Sequence, residues 1–234
     1  MKTSVIVPAR SGSKRLVGKN LKLLAGRPLI FHTLDACMDH AQISTVVFTT
    51  DSTEYANLVK REYGERVQCV LRPERTATDK AKVVDEVRRL LGEHADLFPS
   101  PWFAVCLPTA PLRTRAVMQR ALDAWQTSAQ ALFSAVQYDF PVQFAFRITA
   151  DGDWSPVLGE QSPMITGHTR SQDIEPLYRP NGAIYIQTKD AFLASGQFYT
   201  GAHPFLMSAL ESVDVDTAID FSIADQILRE AHTP

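Results

Sequence analysis

The chain has 234 residues, 45% of them hydrophobic, with 24 basic against 26 acidic side chains and a formal net charge of −2. That is enough to bury a substantial core in one ordinary domain, and the charge balance excludes a protein devoted to nucleic acid, whose footprint is a basic excess. No apolar run approaches the roughly 20 residues of a membrane span, and Ser4–Val7 is too short for a signal-peptide core, so a cytoplasmic protein without membrane contact is expected.

Ser4–Val7 reads as a buried strand opening into a basic loop, Pro8-Ala-Arg-Ser-Gly-Ser-Lys-Arg-Leu-Val-Gly-Lys-Asn. Seven cations, Lys2, Arg10, Lys14, Arg15, Lys19, Lys22 and Arg27, precede the first acid, Asp35. Charge of one sign so concentrated repels itself unless an anion joins it. The expected anion is a polyphosphate, because a merely solvated basic loop does not explain its position directly after a buried strand. The loop is not a P-loop: Ser13 stands where the first glycine belongs, Gly12 comes one residue too early, and Asn20 replaces the required Ser or Thr. It also lacks the glycine triplet of the dinucleotide fingerprint. Gly12 and Gly18 leave the backbone free to turn, while Arg10, Arg15 and Lys19 offer charge-assisted hydrogen bonds to phosphate oxygens.

Further strands are expected at Thr45–Thr49, Val67–Val70, Phe103–Leu107 and Ala131–Ala135, several apolar on both faces, as parallel strands under helices are. Helical spacing predicts helices at Pro28–His40, Thr53–Tyr63, Lys80–Gly92 and Arg115–Thr127, with Pro28 in a first turn. The alternation implies an α/β fold: a doubly wound, mostly parallel, Rossmann-like sheet with right-handed crossovers. Ligands of such sheets sit beyond the carboxyl ends of the strands, at a switch in strand order. The first loop, Pro108–Arg113 and Asp214–Asp216 are expected to converge there. The scattered Cys37, Cys69 and Cys106 read as reduced core residues, not a disulfide frame or zinc site. His32, His40, His94, His168, His203 and His232 show no ligand spacing.

From Gln137 to Tyr178 the pattern breaks at Pro141, Pro156, Pro163 and Pro176. This stretch, 137–178, reads as an insertion within a single domain spanning 1–234, either a lid or an arm exchanged between subunits. Asn181–Gln187 resumes strand character, and Thr217–Glu230 gives a closing helix with Ile219, Ile223, Ile227 and Leu228 on one side. Just before it, Asp214 and Asp216 alternate with valines, so on an extended strand both carboxylates project from one face. No Lys or Arg lies between Lys189 and Arg229, so a hard cation, Mg²⁺, is expected to join the pair. The alternative is Asp216 as N-cap of the helix, and the two roles are compatible. Cations for a leaving pyrophosphate and carboxylates for a metal together suggest nucleotidyl transfer.

Six pieces in series carry a resemblance over nearly the whole chain: Pro8–Arg15 with Lys19-Asn20, Thr50-Asp-Ser, Leu71-Arg-Pro-Glu, Leu107-Pro-Thr-Ala-Pro-Leu-Arg, Tyr178-Arg-Pro-Asn-Gly-Ala-Ile-Tyr-Ile and Val213-Asp-Val-Asp-Thr. The chain resembles the acylneuraminate cytidylyltransferases, or CMP-sialic acid synthetases, and their relatives acting on other nonulosonic acids. The resemblance implies attack on the α-phosphate of CTP by the anomeric hydroxyl of a nine-carbon α-keto sugar acid, giving a CMP-sugar and pyrophosphate. It implies that Arg10 and Lys19 stabilise the triphosphate with Arg15 beside them. Asn20, Arg72 and the backbone of Pro8 and Ala9 would contact the nucleotide, and Asp214 and Asp216 would hold Mg²⁺. Asp216 and a metal-bound hydroxide both stand as acceptors of the hydroxyl proton.

For the sugar, Leu107 stands where the family commonly has glutamine and offers an acyl group no hydrogen bond. Phe140-Pro-Val-Gln and Arg170-Ser-Gln-Asp-Ile-Glu resemble the pseudaminic branch, whereas Tyr178–Tyr185 resembles the sialic or legionaminic branch. Arg170 is a candidate partner for the sugar carboxylate, with Gln143, Tyr185, Phe198 and Tyr199 as candidate walls. The family forms homodimers whose inserted arm reaches the neighbour's site, a role 137–178 fits. The competing readings are a metal-dependent glycosyltransferase using a nucleotide sugar, a cytidylyltransferase for the eight-carbon acid Kdo, and a non-catalytic nucleotide-binding module.

Overall fold

The computed structural model describes residues 1–73 and 82–231. The first two residues of the helix expected at Lys80–Gly92, Glu74 of the Leu71-Arg-Pro-Glu piece, and His232 lie outside the described residues. In chain order the elements are β1 (Thr3–Pro8), the small hairpin β2 (Leu23–Leu24) and β3 (Arg27–Pro28), α1 (Leu29–Cys37), β4 (Ile43–Thr50), α2 (Thr53–Tyr63), β5 (Val67–Leu71), α3 (Val83–Glu93), β6 (Trp102–Val105), α4 (Arg115–Ser128) and β7 (Ala131–Gln137). An excursion follows, with β8 (Phe146–Ile148), β9 (Trp154–Pro156) and the single turn α5 (Pro163–Thr166). The chain closes with β10 (Tyr178–Thr188), α6 (Lys189–Ser195), β11 (Ala202–Leu206) and α7 (Ala218–Ala231).

Seven strands form one sheet in the order β11-β7-β10-β6-β1-β4-β5. The pairs β1–β4, β1–β6, β4–β5 and β7–β11 are parallel, and β10 runs antiparallel to both β6 and β7. The fold is the expected doubly wound, mostly parallel α/β sheet, with β10 as its one reversed strand. In β1, Val5 and Val7 pack with Phe31, Leu34 and Trp125 on one face, while Ile6 packs with Leu90, Phe103 and Phe192 on the other. Helices cover both faces, which is why this strand shows no polar alternation. The chain runs from β1 outward through β4 to β5, then returns to β6 on the other side of β1. That reversal opens a crevice at the carboxyl ends of β1 and β6.

Three helical expectations shift. α1 ends at Cys37, not His40: Met38 is extended and Asp39 sits at φ 60, so the backbone has already left the helix. His40 then hydrogen-bonds Ala36 O at 2.9 Å and Gln119 Oε1 at 2.7 Å. Pro28 belongs to β3 and precedes the first turn of α1. In α7 the buried seam is Ala224 and Leu228, while Ile219 and Ile223 are exposed. The small side chain of Ala224 lets the helix approach its support closely, and the isoleucines are rotated outward.

Residues 138–177 carry only short elements, and Phe140, Phe146, Ile148, Trp154 and Ile165 are each more than half exposed. The ring of Phe146 meets Trp154 edge-on at 5.8 Å, which ties β8 to β9. Among the described residues no helix is long and apolar enough to cross a membrane.

Candidate active site

The basic loop leaves β1 under tight control. Ala9 N–H donates to Thr49 O at 2.9 Å, extending the β1–β4 pairing by one residue. Ser11 donates its N–H and its hydroxyl to the two carboxylate oxygens of Asp51, at 2.8 and 2.9 Å. Gly18 adopts φ 64, a left-handed conformation that favours glycine, and Lys19–Leu21 then form a 3-10 turn. Gly12 does not need such freedom, having no positive φ. Asn20, 5% exposed, donates to Arg10 O at 2.9 Å, so its amide braces the loop from inside.

The far end of the chain reaches this loop through a small core of its own. Leu24 and Leu29 from the hairpin region, Leu112, Val215, and Ala224 and Leu228 of α7 pack together. The hairpin turns through Ala25 (φ 49) and Gly26 (φ 81), and Ala25 N–H donates to Asp225 of α7 at 2.6 Å. Val215 is fully buried in that core. Its N–H donates to Thr109 O at 2.7 Å, and its carbonyl accepts from Lys19 Nζ at 2.6 Å. Asp214 and Asp216 flank this fixed residue. The valine-aspartate alternation is therefore real, but the segment is a connection between the sheet and α7, not a ladder strand.

Asp216 binds two cations of the first loop, Lys19 Nζ at 3.1 Å and Arg15 Nη2 at 2.8 Å. The counter-charges missing from the surrounding sequence thus come from about 200 residues away. Asp216 does not cap α7. Thr217 and Asp220 do so reciprocally: the Asp220 carboxylate accepts from Thr217 N and Oγ1 at 2.7 and 2.8 Å, and Asp220 N–H donates to Thr217 Oγ1 at 3.3 Å. Asp214 is exposed and, unlike Asp216, does not line the cleft described below; partial desolvation still pushes its carboxyl above the usual range. A hydrogen bond from Thr109 opposes the shift, and the neighbouring Asp216 adds to it.

Between these parts lies a cleft of about 290 Å³. Pro8, Ala9, Arg10, Arg15, Lys19, Asn20 and Arg72, the whole predicted nucleotide set, line it together with Leu107 and Asp216. Burial lowers the Arg72 pKa, and the charges of Glu86 and Asp51 work against that loss. Glu86, 2% exposed, is held by Arg89 at 2.8 and 2.9 Å and accepts from Thr49 Oγ1. The predicted sugar residues divide. Tyr185 stacks on Phe198 at 4.7 Å and shares a 3.4 Å hydroxyl contact with the more exposed Tyr199. Phe198 is packed further into the core against Phe192. Gln143 and Arg170 lie in the excursion, bonded to Glu175 O and paired with Asp173 respectively; of the predicted sugar residues Leu107 lines the cleft, whereas Tyr185, Phe198, Tyr199, Gln143 and Arg170 do not. Asp51 and Thr109 receive no individual role from the sequence, although Thr50-Asp-Ser and Pro108-Thr-Ala lie at the carboxyl ends of β4 and β6, the two strands that pair with β1.

A family model described as "Cytidylyltransferase" matches residues 4–146. A CMP-N,N'-diacetyllegionaminic acid synthase of Legionella pneumophila is 32% identical over 97% of this chain and 97% of its own length. An N-acylneuraminate cytidylyltransferase of Streptococcus agalactiae is 32% identical over 94% of this chain, which spans 52% of that longer protein. A pseudaminic acid cytidylyltransferase of Campylobacter jejuni is 27% identical over 99% of this chain and 98% of its own length. Among solved structures, a CMP:2-keto-3-deoxy-manno-octonic acid synthetase complexed with CTP shares the fold, with a TM-score of 0.70 at 15% identity over 99% of this chain and 100% of that one.

Proposed function

The chain belongs to the cytidylyltransferase family, and on that premise we propose that its cleft joins CMP from CTP to a nine-carbon nonulosonic acid and releases pyrophosphate. The enzyme is a CTP-dependent nucleotidyltransferase making a CMP-sugar. The observation that carries the site assignment is the meeting of Arg10, Arg15 and Lys19 with Asp216 in one cleft at the strand-order switch.

Negative charge grows on the β-phosphate side as the α-phosphate is attacked. Lys19 answers it with an ammonium whose side chain is 9% exposed and already held by Val215 O and Asp216, so little reorganisation accompanies the reaction. Arg10 and Arg15 add guanidinium forks suited to phosphate oxygens. Entry of the triphosphate draws the exposed Arg15 off Asp216 Oδ2 and leaves that oxygen free, while Lys19 stays on Val215 O and Asp216 Oδ1. The two aspartates suit Mg²⁺: they are hard oxygen donors fixed on either side of one buried valine, and Mg²⁺ commonly takes one or two carboxylates plus substrate phosphates. When bound, the ion supplies charge neutralisation at the α-phosphate and acidifies the attacking hydroxyl.

Leu107 and the ring cluster of Tyr185, Phe198 and Tyr199 supply the sugar side, with Arg170 and Gln143 contributed by the arm of a second copy in a homodimer. The exposed apolar side chains of the arm support that assembly. Three unpaired cysteines accord with a cytoplasmic setting. The test incubates the protein with CTP, Mg²⁺ and a panel of legionaminic, sialic and pseudaminic acids while following pyrophosphate. Release with at least one acid is expected; release with none, in enzyme shown to be folded, rejects the assignment.

A further inference from the structure

The cleft's cations need a fixed backbone to be aimed, and the end of β4 provides the fixing. β4 lies between β1 and β5, so its carboxyl end stands between the basic loop and the Arg72 segment. Thr49 O accepts from Ala9 N–H and Thr50 O accepts from Arg72 N–H, both at 2.9 Å. One residue on, Asp51 takes both Ser11 donors, and its Oδ1 lies 3.9 Å from Arg72 Nη2. The Asp51 side chain is 11% exposed and that of Arg72 is 7% exposed. A carboxylate so enclosed, receiving a backbone N–H and a hydroxyl, makes charge-assisted bonds stronger than neutral ones. It also sets a negative charge beside a buried guanidinium in a neighbourhood that includes Arg10 and Arg89.

We propose that Asp51 is a positioning residue for the nucleotide: through Ser11 it fixes the backbone that aims Arg10 at the phosphates, and through its charge it keeps Arg72 turned into the cleft. This rests on the reading of the cleft as the CTP site. Asp51 lines no part of the cleft itself, so its effect passes through the residues it holds. Without it, the root of the loop keeps the Asn20 bond to Arg10 O but loses the tether on its other side.

The experiment compares the parent, Asp51→Ala, Asp51→Asn and Ser11→Ala for CTP and CMP binding by calorimetry, thermal stability, and steady-state kinetics. Asp51→Asn retains an acceptor for the Ser11 N–H but loses the charge and puts an NH2 donor where the second accepting oxygen stands, which keeps the test open where Asp51→Ala fails to fold. Asp51→Ala is expected to weaken CTP binding about tenfold, the scale of one lost charge-assisted bond. CMP, which lacks the outer phosphates, should weaken less, so the CTP-to-CMP affinity ratio falls. Asp51→Asn should lie between parent and alanine, and Ser11→Ala should follow Asp51→Asn in direction. The KM for CTP should rise while the KM for the sugar acid holds. A parent that fails to bind CTP overturns the site reading itself. A parent that binds CTP while the Asp51 variants bind it equally well, or lose CTP and CMP alike in step with thermal stability, overturns the positioning role alone.

Discussion

Lys19 shows how much of the chemistry a single side chain concentrates. An ammonium buried to this degree is costly unless partners surround it, and Val215 O and Asp216 do so at 2.6 and 3.1 Å. The Arg15 bond to the same carboxylate is shorter, but the Arg15 side chain is 70% exposed, and pairs open to solvent contribute little. The two cations are therefore unequal, with Lys19 the preorganised donor and Arg15 the adaptable one. Lys19→Ala is expected to lower kcat by about 10²–10³, the range for one preorganised donor, with a smaller loss for Arg15→Ala. Steady-state pyrophosphate release measures both, and an unchanged turnover in Lys19→Ala removes that residue from the chemistry.

Whole elements, not single contacts, bring the distant groups together. α7 closes on the β2–β3 hairpin through Leu24, Ala224 and Leu228, and in doing so pins Val215. The Thr217–Asp220 cap starts the helix one residue after Asp216, which leaves that carboxylate pointing at the loop. The excursion at 138–177 is the opposite case: its hairpin leaves Phe146, Ile148 and Trp154 in solvent, apolar surface that the proposed homodimer would cover. Replacing Phe146 by serine and Trp154 by glutamate is expected to convert a dimer to a monomer while thermal unfolding stays cooperative. Light scattering during size-exclusion chromatography reads the mass directly. A parent that is already monomeric contradicts the role given to the arm.

At the scale of the molecule, the sheet was legible because β1, β4, β5, β6 and β7 are apolar runs separated by helix-length segments. The helix Thr53–Tyr63 needed no revision, since the Ser52 side chain caps it and Gly64 ends it with a positive φ. The basic loop and the aspartate pair were legible as charge patterns. Their convergence followed from the fold class, but the means did not, because it is a minor core, Val215 among Leu24, Leu112 and Leu228, that leaves no periodic trace. Ile219 and Ile223 misled for a related reason: helical spacing identifies an apolar stripe, but only the neighbouring element decides which stripe is buried. Asp51 and Thr109 lie in recognisable motifs but carry no individual role in the sequence, because a carboxylate or hydroxyl that holds a backbone looks there like any loop residue.

The two ends of the chain grip one nucleoside triphosphate in this reading of the cleft. The most direct measurement is a crystal structure of the protein with CTP and Mn²⁺, the metal located by its anomalous signal. Phosphate oxygens are expected against Arg10, Arg15 and Lys19, and the metal on Asp214 and Asp216. A triphosphate bound outside that cleft, or a metal away from both aspartates, contradicts this reading.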